Sequence, residues 1–169
     1  MKRIAIILLA ALLLCACAAT EENAVFVDPN AVQGGGYGEL YFAANGVRFG
    51  IFDEADKVIE ALPAYRSTYT GETCAFDSQD VFYFYDGFQM MVNEIDGVNR
   101  ITAITIKDDT VKTPQGLYIG MKEDDAKAAF PALFEEDWVL IDGTAQLSVV
   151  LLDGAVAEII YTPSNEGGF

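Results

Sequence analysis

The chain has 169 residues, 26 acidic against 10 basic side chains, a formal net charge of −16 and no histidine. This balance argues against nucleic acid and anionic lipid headgroups as partners for the body of the protein. The missing imidazole excludes histidine-based triads, histidine general bases and histidine metal sites.

Met1-Lys2-Arg3 is a short basic start, and Ile4 to Leu14 is an unbroken apolar run. That run has the length of a signal-peptide core and falls short of the about 20 residues a spanning helix needs. Every later apolar run is interrupted by charge, Gly or Pro, so an exported chain without an integral span is expected. Leu14-Cys15-Ala16-Cys17 is similar to a bacterial lipobox, in which an aliphatic residue and small residues precede the cysteine that becomes the new N-terminus. The resemblance implies loss of residues 1–16 as a lipoprotein signal peptide and a diacylglyceryl group on Cys17. Cys15 fits poorly because bulky Leu14 precedes it. The alternative is an ordinary secretory signal that leaves Cys17 free. Acyl chains contribute about 0.8 kcal/mol per buried methylene, so two or three of them anchor a protein firmly to the membrane. The expected location is the extracytoplasmic side of the cell membrane.

Residues 17–38 hold the lipidated cysteine and then polar or small residues, a Pro and a Gly run, which read as a flexible tether. With Cys17 acylated and Cys15 removed, Cys74 has no intrachain partner, and no disulfide framework is expected. Cys74 reads as a small buried hydrophobe.

Beyond the tether, turn dipeptides divide the chain: Asn45-Gly46, Asp86-Gly87, Asp96-Gly97, Asp142-Gly143 and Asp153-Gly154. Such pairs between apolar or alternating flanks mark hairpins, because both central residues need positive φ. "DEADKVIEAL" at 53–62 sets Ala55, Val58, Ile59 and Leu62 at helical spacing, with acids in the first turn. Pro63 limits it. "VFYFY", "FQMMV" and "RITAITI" follow as strands rich in β-branched and aromatic residues. "KEDDAKAAF" at 122–130 is a second helical stretch, ended by Pro131, and "WVLI", "AQLSVVLL" and "AVAEIIY" are further strands.

"NGVRFGIFDEADKVIEALP" resembles "QGLYIGMKEDDAKAAFP", and each precedes strands separated by two Asp-Gly turns. The expected fold is therefore α+β with two tandem units, at 40–112 and 113–163. Each would be a short helix followed by an antiparallel meander of about three to four strands, with the helices on one face of the sheet. The first unit carries a longer loop around Tyr65 to Asp80, and residues 164–169 read as a flexible tail.

This tandem order resembles the beta-lactamase-inhibitor-protein-like (BLIP-like) fold. "GLYIGMKEDDAKAAF" is similar to the opening of those modules and of small outer-membrane assembly lipoproteins. "ETCAFDSQDVFYFYDGFQMMV" is similar to clostridial-type lipoproteins of the Firmicutes. The resemblance spans roughly 40–163 and bears on architecture more than on activity: modules of that group serve as protein-binding surfaces or have no known role, and no catalytic residue carries over.

The acidic clusters at 53–56, 108–109, 123–125 and 135–137 lack the alternating spacing and distal Glu of a calcium loop, so they read as capping or solvated faces, with a weak calcium site as the alternative, and no metal or cofactor is expected. The serines lack a nucleophile-elbow context, and "QGGGYG" is no phosphate loop. Alternation in "VFYFY" puts Val81, Tyr83 and Tyr85 on one face and Phe82 and Phe84 on the other. One face packs on the helices; the second either exposes large aromatics or is buried between the units and the long loop. Tyr69, Tyr83 and Tyr85 are the candidate binding surface. The expected function is that of a lipid-anchored, non-catalytic, extracytoplasmic module binding a protein or envelope component. The alternative is a small-ligand-binding or enzyme-like module.

Overall fold

The computed structural model describes residues 40–72, 78–134 and 138–164. The expected signal peptide, Cys17, the expected tether, Cys74, the acids at 135–137 and residues 165–169 lie outside them. The described elements are β1 (Phe42–Ala44), β2 (Val47–Phe49), α1 (Ala55–Ala61), β3 (Ser67–Glu72), β4 (Gln79–Phe84), β5 (Phe88–Ile95), β6 (Val98–Ile106), α2 (Glu123–Ala129), a 3-10 turn (Pro131–Phe134), β7 (Val139–Asp142), β8 (Ala145–Leu152) and β9 (Ala155–Pro163).

The expectation of two tandem helix-plus-meander units is corrected. Strands β3 to β9 form one antiparallel sheet in the order β3-β4-β5-β6-β9-β8-β7, and β1 and β2 form a separate hairpin. The meanders fuse because β6 pairs with β9, Ile104 opposite Tyr161 and Ile106 opposite Ile159. The helices have seven residues each, about two turns, and cannot form a layer of their own. The fold is mostly β.

Helix and turn chemistry explain the local boundaries. α1 buries Ala55 and Val58 and α2 buries Ala126, all members of the same hydrophobic cluster. The hairpin turns at Asn45-Gly46, Asp96-Gly97 and Asp153-Gly154 have positive φ at both residues, as a type I′ turn demands. The Asp86-Gly87 and Asp142-Gly143 turns differ: only the glycine is left-handed. Gly87 is also tight, since a Cβ there would sit 2.5 Å from Thr110 Oγ1 and 2.7 Å from Val111 Cγ1.

β9 reaches only the C-terminal part of β6. The other part of that flank is taken by the segment entering α1, where Phe52 N–H donates to the Ile101 carbonyl (2.7 Å) and Ile101 N–H to the Asp53 carbonyl (3.0 Å). Arg100 Nη1 donates to the Phe52 carbonyl at 3.0 Å. These bonds hold Phe52 at φ 69, a conformation bulky residues rarely adopt.

The register separates the two faces. One row across all seven strands reads Thr68, Tyr83, Met90, Ile104, Tyr161, Leu147, Leu140. This inner face carries the core, with Met90, Ile104, Leu147 and Tyr161 almost wholly enclosed beneath the helices, the β1–β2 hairpin and Leu117. Phe88 stacks on Tyr85 (4.8 Å between ring centres) and packs against Phe42 (5.1 Å). A bulge at Met91/Val92 leaves Thr102 as the extra residue of β6. Its hydroxyl donates to Asn93 Oδ1, whose own amide donates to Asp80 Oδ1 (2.6 Å) and the Gln79 carbonyl (3.2 Å). The bulge thus meets the rule that buried polar atoms find partners.

Candidate functional site: the outer sheet face

The next residue along each strand points the other way. The outer row reads Ser67, Phe84, Gln89, Thr105, Ile160, Ser148, Val139. Beside it run Tyr69, Phe82, Met91 and Ala103 at one end, and Thr162, Gln146 and Ile141 at the other. None of these side chains belongs to the hydrophobic core or packs against it. Phe82, Phe84, Met91, Ile160 and Val139 are part-buried, and Tyr69 is 61% exposed. Among the described residues no helix covers this face.

Its composition is as telling as its openness. The fourteen residues named above include no charge. At the 21% charged fraction of the chain, about three would be expected. Charges resume at Asp80, Lys107 and Glu158, farther along the same strands. A solvated antiparallel face ordinarily alternates toward polar and charged residues. Large aromatics and Met without charge are instead the composition of an interface centre.

The structure divides the three candidate tyrosines between faces. Tyr83 and Tyr85 lie on the inner side, gathered by Tyr65, whose ring stands edge-on to Tyr83 at 5.2 Å and to Tyr85 at 6.3 Å. Tyr83 is half-buried and Tyr85 buried. Tyr69 lies on the outer side, 6.1 Å from the ring of Phe82, which stacks in turn on Phe84 at 6.5 Å. Phe82, Phe84, Met91 and Ile160 were not among the candidates. The alternation in "VFYFY" separates the two sets, and nothing in the sequence says which set the core takes.

A cleft of about 550 Å³ opens beside the tyrosine cluster, between Ala43-Ala44-Asn45, Pro63-Ala64, Tyr85-Asp86 and Thr110-Val111-Lys112. Asp86 at its rim is paired with Arg66, both largely exposed. Desolvation, with smaller contributions from Tyr83 and Tyr65, pushes the Tyr85 phenol up to about 12, so it stays protonated and cannot act as a base near neutrality. Its hydroxyl is enclosed and finds no hydrogen-bond partner among the described residues. The same desolvation raises Tyr83, and Tyr161 further still. Among the described residues no group of three or more Cys, Asp or Glu is placed to hold a metal ion. No described helix is long and apolar enough to cross a membrane. Comparison with family models, curated proteins and solved structures returned no match to this chain.

Proposed function

We propose that this is a lipid-anchored, extracytoplasmic, non-catalytic module whose outer sheet face docks a protein. The observation that carries the reading is the pair of uncharged outer rows across seven strands, which no helix covers among the described residues. Desolvating such a face costs little, since it holds no charge that must find a partner. The lipobox-like Leu14 to Cys17 stretch supports the anchor, and the tether after it supplies the stand-off a membrane-bound docking face requires. The likeness of "GLYIGMKEDDAKAAF" to BLIP-like modules supports the same use of a sheet.

The cleft beside Tyr85 favours a second reading, a small-ligand module, since its volume falls within the usual range of ligand sites. Its weakness is chemical: the Tyr85 hydroxyl is shut away from the space a ligand would fill. The test is crosslinking in native cells with mass spectrometry of what is captured. A Phe82→Lys/Met91→Lys chain should lose the captured protein at least tenfold while its far-UV spectrum is unchanged. Undiminished capture overturns the reading.

A further inference from the structure

We infer that the protein received by the outer sheet face is a second copy of this chain, the two sheets packing face to face about a two-fold axis near Thr105. This rests on the outer face being a docking surface, and it names the occupant.

Charge supplies the first argument. The full chain carries a net charge of −16, and a copy that has lost residues 1–16 with Lys2 and Arg3 is more acidic still, so association of two copies must avoid opposing acids. A two-fold interface sets each patch against itself, so any charge on it faces its own kind unless both signs are interleaved. The two central outer rows satisfy that condition by having no charge, and the charges flanking them on the same face, Asp80, Lys107 and Glu158, are of both signs. An acidic protein recognising a foreign partner would be expected to offer acids to basic residues for steering and register. This face offers none over its central rows.

Area supplies the second. Seven strands span six spacings of about 4.8 Å, and their mean length of about seven residues at ~3.3 Å gives a whole face of roughly 29 by 23 Å, with Asp80, Lys107 and Glu158 flanking its uncharged central rows. That is about 670 Å² per copy and about 1,300 Å² for the pair, inside the range of stable specific interfaces. The geometry is available too, since open twisted sheets stack with their strands about 30° apart and their side chains interleaved. Phe82, Phe84, Met91, Ile160, Val139 and Ile141 supply the apolar surface, and Gln89, Ser148 and Gln146 supply uncharged hydrogen-bonding groups.

Thr105 lies in β6, the middle strand of the seven, so the axis should bring the two copies of it together. The test uses the full chain in its own host, with a benzophenone amino acid at position 84 on the outer face or at position 65 on the inner side. Position 84 should yield a photoproduct of two copies of this chain, and position 65 should not. Chains carrying Thr105→Glu or Thr105→Lys should each lose that product at least tenfold. Co-expression of the two should restore it, which also shows that both variants fold. A position-84 product containing a different protein overturns self-pairing and leaves the docking reading standing. No product from position 84 overturns both.

Discussion

Truncating two phenylalanines four residues apart tests the division of faces directly. Phe88 is 1% exposed and packs against Tyr85, Phe42 and Phe49 on the inner face. Phe88→Ala removes roughly 130 Å² of enclosed apolar surface, about 3 kcal/mol at ~25 cal/mol per Å². The lost ring contacts and the cavity left among packed neighbours raise this to about 4 kcal/mol. Phe84 has one described ring neighbour, Phe82 at 6.5 Å, and its truncation opens onto solvent instead of creating a void. Phe84→Ala should cost about 1 kcal/mol. Urea unfolding followed by far-UV circular dichroism gives both values from shifts in midpoint at constant m. A dilution series separates folding from any association. The melting temperature of the Phe88 variant should fall by roughly 12–20 °C, that of the Phe84 variant by a few degrees. Equal costs would refute the reasoning, since they would mean that the outer face is packed as tightly as the inner.

Intact mass of the membrane-extracted protein should match a chain beginning at Cys17 plus acyl chains, and Cys17→Ser should release the protein from the membrane; a wild-type chain starting elsewhere and without lipid sinks the anchor. Gly87→Ala should destabilise by more than 1 kcal/mol on the order expected for an incompatible site, because the left-handed φ and the 2.5 Å approach to Thr110 act together. Gly97→Ala, with the same sign of φ and open space around it, should cost less in the same urea experiment. Alkaline pH should unfold the protein in a defined window. Burial raises the folded pKa of Tyr85 to about 12 from the ordinary 10.0, so its contribution is complete below pH 10, falls as the unfolded chain ionises first, and levels off near 12. Tyr85→Phe should lessen the slope of that part of the stability–pH curve, the remainder belonging to Tyr83 and Tyr161, whose phenols burial also raises, without loss at pH 7, because the enclosed hydroxyl has no partner to forfeit; an unchanged slope places the titration elsewhere.

Legibility in the sequence followed the range of the forces involved. The two helices lie within the stretches where Ala55 and Val58, and Ala126, sit at helical spacing, and each of the five turn dipeptides holds a left-handed glycine. Both are local effects of a few residues. The aromatic alternation of β4 is local as well, and so is the separation of Tyr83 from Phe82. Which of those sets is covered depends on residues far away in the chain, and Tyr83 and Tyr85 were drawn to the inner side by Phe88, Met90 and Tyr65.

The sequence by itself determined the acidic balance, the absence of imidazole chemistry, the turn positions and the strand alternation, because each is a property of composition or of neighbouring residues. Only the tertiary structure decided that the meanders join. That join consists of backbone hydrogen bonds between Ile104–Ile106 and Ile159–Tyr161, more than fifty residues apart, and such bonds leave no mark on side-chain pattern. The same join gathered the buried apolar side chains of both halves into one cluster on the inner side, and among the described residues it left the uncharged central rows of the outer face without a covering helix.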